Sequence, residues 1–115
     1  MAYIILHNPN CSTSRKGLDL LKEAGVEPEV RKYMNATERL SVEELKDIAK
    51  KMGGVSPRVF MRAKDAPAAG IDAGSSDEAI FEAMAENPKL IQRPIGIRGK
   101  KAVLGRPPED LLKLA

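Results

Sequence analysis

The spacing of apolar positions changes several times along the chain, and each change marks an element. Tyr3-Ile4-Ile5-Leu6 is a short β-branched and aromatic run ended by His7-Asn8-Pro9-Asn10, which is turn chemistry, so it reads as a buried central strand. From Ser12 onward the spacing is helical: Leu18, Leu20 and Leu21 gather on one side, and Gly25 supplies the stop. Glu29 to Met34, through Val30 and the Tyr33-Met34 pair, predicts a second strand. Strand, helix and strand in succession form a βαβ unit, which predicts a parallel pair with a right-handed crossover.

The middle of the chain is helical. Ser41-Val42-Glu43-Glu44 fits a capping box, in which the Ser and Glu side chains satisfy free amide donors at the helix end. The stripe Val42, Leu45, Ile48, Ala49 and Met52 follows and ends at Gly53-Gly54. Ser56-Pro57 predicts a new helix carrying Val59, Phe60, Met61 and Arg62, since proline is tolerated in a first turn. A small-residue loop (Ala66 to Gly74) separates it from a helix capped by Ser75-Ser76-Asp77-Glu78 and packed through Ile80, Phe81, Ala83 and Met84. Asn87-Pro88 terminates that helix.

In the last third the period returns to two. Ile95-Gly96-Ile97 and Ala102-Val103-Leu104 flank Gly99-Lys100, a two-residue hairpin loop of the Gly-X kind, which predicts an antiparallel pair. Pro107-Pro108-Glu109 then opens a short helix with Leu111, Leu112 and Leu114. The order is βαβ, an inserted helical region, then ββα. That order predicts an α/β protein with a thioredoxin-like fold and a mixed sheet of about four strands.

Composition narrows the class. The 115 residues predict one domain over positions 1–115. Lys and Arg number 19 against 16 Asp and Glu, a net charge of +3, but the basic residues are interleaved with acids, as in Glu43-Glu44-Leu45-Lys46. Four aromatics (Tyr3, Tyr33, Phe60, Phe81) are too few for a base-stacking platform, so nucleic acid is not an expected partner. One cysteine excludes an internal disulfide, and Cys11 with His7 falls short of the four Cys/His ligands of a structural zinc site, so no metal is expected. The first apolar run is too short for a signal peptide or membrane span, and an unpaired thiol suits a reducing cytoplasm.

Cys11 lies between a strand and a helix. Free N–H groups and the positive end of the helix dipole favour a thiolate there, and the same groups bind oxyanions. Ser12, Thr13 and Ser14 add hydroxyl donors, and Arg15, one turn on, adds positive charge. Spacing excludes neighbouring chemistries. A Cys-x-x-Cys redox pair needs cysteine where Ser14 stands, and a Cys-x5-Arg phosphatase loop needs arginine where Gly17 stands. Two roles are open for His7, a partner of the thiolate or a satisfied strand-end residue. Arg62, Arg93 and Arg106 stand out in the remaining chain. Two of them precede proline at strand ends, where the backbone is confined to extended conformations. Guanidinium forks match tetrahedral oxyanions.

His7-Asn8-Pro9-Asn10-Cys11-Ser12-Thr13-Ser14-Arg15, Arg93-Pro94-Ile95 and Arg106-Pro107, in this order and at these distances, resemble the glutaredoxin-coupled arsenate reductases of the ArsC group, within the thioredoxin-like superfamily. The resemblance runs essentially end to end. It implies that Cys11 is the nucleophile and that Arg62, Arg93 and Arg106 hold arsenate and its arsenylated intermediate, with His7, Ser14 and Arg15 in support. It also implies a cis Pro94 facing the cysteine, which sets Arg93 beside Cys11. No bound cofactor is implied; glutathione is the external reductant and glutaredoxin the partner. The same superfamily branch includes Spx-like regulators that bind RNA polymerase, and thiol reductases acting on other substrates. Ser14 in place of a second cysteine argues against a disulfide switch of the Spx kind.

Overall fold

In the computed structural model, which describes residues 2–115, the first strand, β1 (Tyr3–Leu6), sends alternate side chains to opposite faces of the sheet. Tyr3 and Ile5 pack with Leu21 and Leu111, whereas Leu6 joins the larger cluster around Tyr33, Leu45, Phe60, Ile80 and Ile95. Each side chain fully buried in these clusters contributes about 1.5–3 kcal/mol. The four strands run in the order β2-β1-β3-β4. β1 pairs in parallel with β2 (Glu29–Arg31) and antiparallel with β3 (Ile95–Arg98), which forms a hairpin with β4 (Lys101–Leu104). This is the mixed sheet of a thioredoxin-like fold.

Among the described residues three α-helices accompany the sheet: α1 (Ser12–Glu23), α2 (Val42–Lys51) and α3 (Asp77–Glu86). Ser41 and Glu44 form the expected capping box on α2, and Ser76 caps α3. The buried stripe of α1 is Ser14, Gly17 and Leu21, with Leu18 and Leu20 only partly buried. Gly17 sits there because α1 approaches closely. A Cβ at that position would fall 2.6 Å from Leu111 Cδ1 and 3.1 Å from Pro94 Cγ.

Three expectations need correction, and one loop holds more structure than its composition shows. β2 ends at Arg31, short of Met34, because the chain folds over itself at Asn35 N–H to Lys32 O (2.9 Å) and drives Tyr33 into the core. Ser56-Pro57 opens only a 3₁₀ turn, Pro57–Phe60, and Arg62 is not on a helix. Met61 instead bridges antiparallel to Ile91, and Arg62 is extended, its N–H donating to Leu90 O at 2.7 Å. The Ala66 to Gly74 loop contains a 3₁₀ turn, Pro67–Ala69, and buries Ala66 and Ile71 in the core. The C-terminal segment Pro108–Leu114 is 3₁₀ rather than α, clamped where the Tyr3 hydroxyl donates to Leu111 O at 2.7 Å. Among the described residues no helix is long and apolar enough to cross a membrane.

Candidate functional site

Asn8-Pro9-Asn10 turns the chain from β1 into α1. The Asn8 side chain caps that turn by accepting from Asn10 N–H at 3.0 Å, and Cys11 N–H donates to Asn8 O at 3.0 Å. Cys11 is therefore the residue that precedes the first helical turn, and its extended backbone (φ −100°, ψ 121°) leaves the sulfur beside the free amides of α1. Burial by itself pushes the Cys11 thiol up. The amide of Ser14, the Arg93 guanidinium and the amide of Thr13 more than offset that, and the thiol lies below the ordinary cysteine value. The site favours a thiolate for two reasons the sequence offers separately: a helix N-terminus and an arginine from the far side of the chain.

Ser14 has no exposed surface. Its hydroxyl meets His7 Nδ1 at 2.7 Å and accepts from Asn8 N–H at 3.1 Å, so its side chain fixes the turn while its amide faces the sulfur. Burial, then Lys32, Arg15 and Lys22, hold the His7 imidazole below its usual value, and the neutral ring can accept the Ser14 proton. Of the two roles open for His7, its ring takes the strand-end one: it meets Ser14, and its backbone N–H donates to Arg31 O at 3.0 Å. Arg15 is exposed and donates to Pro9 O at 2.9 Å, bracing the turn.

The Arg93-Pro94 and Arg106-Pro107 peptide bonds are both cis. Arg93 is 8% exposed and donates through Nη1 to Lys89 O (3.1 Å) and Ile91 O (3.3 Å), which aims the guanidinium at Cys11. Arg62 and Arg93 line one cavity of about 350 Å³ with Asn8, Asn10, Met34, Lys64, Asp65 and Lys89. Arg62 Nη1 stands 3.3 Å from Asp65 Oδ2. Arg106 is exposed and lies outside the cavity lining, its Nη1 donating to Arg93 O at 3.0 Å. Arg93 thus joins two groups, facing Cys11 and the Ser14 amide on one side and lining the cavity with Arg62 on the other; Cys11 itself is not part of the cavity lining, and Arg106 is set against the Arg93 backbone.

Sequence reasoning missed Tyr33, Lys64, Asp65 and Lys89. Tyr33 is fully buried, and its hydroxyl stands 3.5 Å from the Ile91 carbonyl that Arg93 also uses. Burial pushes its phenol up to about 12 despite Arg93 beside it. A signal existed for three of them: Tyr33 is one of only four aromatics, and Lys64 and Asp65 fall within three positions of Arg62, whereas Lys89 carries none. A separate groove of about 360 Å³ is lined by Ile4, Leu6, Ile48, Arg31 and Glu44 among others, and none of the site residues expected from the sequence lines it. Among the described residues no group of three or more His, Cys, Asp or Glu side chains is placed to hold a metal ion.

The model of the ArsC family matches residues 6–114. An arsenate reductase of Haemophilus influenzae is 42% identical over 99% of this chain and 99% of its own. YfgD, an uncharacterized protein of Escherichia coli, is 44% identical over 96% of this chain and 93% of its own. The solved structure of an arsenate reductase from Vibrio cholerae superposes with a TM-score of 0.89 at 43% identity, covering all of this chain and 98% of the other.

Proposed function

The chain belongs to the ArsC family, and on that premise we propose that it is an arsenate reductase with Cys11 as its nucleophile. The observation that carries the reading is the meeting of Cys11 with Arg93, a buried guanidinium that favours the thiolate and opens onto a cationic cavity.

Arsenate enters the cavity, where Arg62 and Arg93 offset the charge on its oxygens. The Cys11 thiolate attacks arsenic, forming an S–As bond as one oxygen leaves as water. Arg106, hydrogen-bonded to the Arg93 carbonyl, keeps that corner in place while the arsenylated cysteine persists. The chain has no second cysteine, so the remaining thiol comes from outside. Glutathione adds to arsenic, and glutaredoxin resolves the mixed species. In total arsenic gains two electrons, two thiols become one disulfide, one oxygen of arsenate leaves as water, and arsenite is released. No bound cofactor takes part. A lone catalytic thiol that must stay reduced suits the cytoplasm.

The test is arsenate-dependent NADPH oxidation in an assay coupled through glutathione, glutaredoxin and glutathione reductase. A rate that depends on all three thiol components and is absent in Cys11→Ser supports the reading; no rate above that control overturns it. A rate that persists without glutaredoxin removes glutaredoxin from the cycle.

A further inference from the structure

The cavity shared by Arg62 and Arg93 is lined by four cationic side chains and a single acid, Asp65. Its Oδ2 lies 3.3 Å from Arg62 Nη1 but accepts no hydrogen bond from it, and that oxygen is closed off from solvent. The other carboxylate oxygen, Oδ1, is not closed off in this way, and among the described residues no donor reaches it. A carboxylate oxygen free to accept, in the lining of a cavity that is otherwise cationic, requires a reason. A site built only to attract negative charge would gain by having none there.

We propose that Asp65 is a specificity-determining residue: its carboxylate accepts a hydrogen bond from the protonated oxygen of a tetrahedral oxyanion, so that the site takes arsenate and phosphate and discriminates against sulfate. The inference rests on the oxyanion reading above and deepens it. Near neutral pH arsenate and phosphate each retain at least one proton, whereas sulfate retains none. A protonated oxygen turned to Asp65 makes a charge-assisted hydrogen bond while Arg62 and Arg93 engage the other oxygens. A sulfate oxygen in the same place meets a carboxylate with lone pairs on both sides and is repelled. The cavity has room for this. A tetrahedral oxyanion displaces about two or three waters, at about 30 Å³ each, against the roughly 350 Å³ available.

Titration calorimetry at neutral pH and fixed ionic strength, with inorganic phosphate and sulfate as the two probes, tests this directly. Phosphate is expected to bind about tenfold to a hundredfold more tightly than sulfate, the range of one charge-assisted hydrogen bond. Asp65→Asn and Asp65→Ala are expected to reduce that ratio to within about threefold, chiefly by admitting sulfate. If Asp65 only tethers Arg62, its removal changes both affinities by the same factor and leaves the ratio intact, which overturns the proposal. Comparable affinities of the unsubstituted chain for both anions overturn it as well, whether or not the variants fold. If neither phosphate nor sulfate binds, the oxyanion site itself fails and the inference falls with it; if both bind but the ratio is near one, only the inference fails.

Discussion

Met61 faces Ile91 in a single antiparallel bridge, flanked by Arg62 N–H to Leu90 O and Gln92 N–H to Phe60 O, both 2.7 Å. That bridge makes neighbours of Arg62 and Arg93, which are far apart in sequence, at the mouth of one cavity. Their contributions to anion binding are therefore expected to be coupled. In a cycle of Arg62→Gln, Arg93→Gln and the double variant, phosphate affinity should depart from additivity by about 0.5–3 kcal/mol. Strict additivity by calorimetry would place the two arginines on separate anions.

Cys11 owes part of its acidity to Arg93. Its alkylation by iodoacetamide should rise with pH about a midpoint below the ordinary thiol value of 9.0. Arg93→Gln removes a charge that favours the thiolate, so the midpoint should move upward and the rate at neutral pH should fall several-fold. One pKa unit corresponds to about 1.4 kcal/mol. A profile unchanged in the variant would mean the helix amides act alone.

Ser14 serves two neighbours with one buried hydroxyl. Ser14→Ala leaves the Asn8 amide and the His7 ring without that partner, and the cost should be about 1–3 kcal/mol in urea unfolding. A loss below about 0.5 kcal/mol would show that the turn holds itself without the hydroxyl.

Two groups should weaken the fold on the acid side, with the same sign. His7 is held below its ordinary 6.5, first by burial. The folded chain thus binds that proton less readily than the unfolded chain, and stability declines as pH falls below about 6.5. Glu44 is held below its ordinary 4.5, first by its hydrogen bond from Arg31, so its contribution is present above that value and lost as pH falls through the folded one. The Arg31–Glu44 pair is partly exposed, and its step should be the smaller. Urea midpoints across pH 4 to 8 in a Cys11→Ser background should show a decline that begins near 6.5, and His7→Gln should abolish that first decline while keeping the lower one.

What was legible in the sequence is what neighbours in sequence decide. The Ser41–Glu44 box, the stop at Gly25 and the Gly99-Lys100 turn are short-range chemistry, and all are present in the fold. Cys11 was legible for the same reason, since turn and helix adjoin it directly. Ser56-Pro57 is a sound helix start and by itself puts Arg62 on a helix; the Met61–Ile91 bridge that overrides it spans thirty positions and leaves no local trace. The β-propensity of Tyr33 predicts a strand residue, yet its place is set by the chain reversal after Arg31. Asp65 is marked in the sequence only by its place three positions after Arg62. The cavity is what sets it apart from the other acids.

The hairpin has a consequence for handling the protein. Its two strands run as an unbroken ladder from Ile95↔Leu104 to Arg98↔Lys101, and at the base Gly105 N–H reaches Pro94 O while Arg106 reaches Arg93 O. The base therefore carries the chemistry, and the tip at Gly99-Lys100 lies a full strand length away. A peptide tag or fluorophore grafted between those two residues would extend the ladder outward without touching its anchored end, giving a handle on the molecule that leaves both termini and its one thiol unaltered.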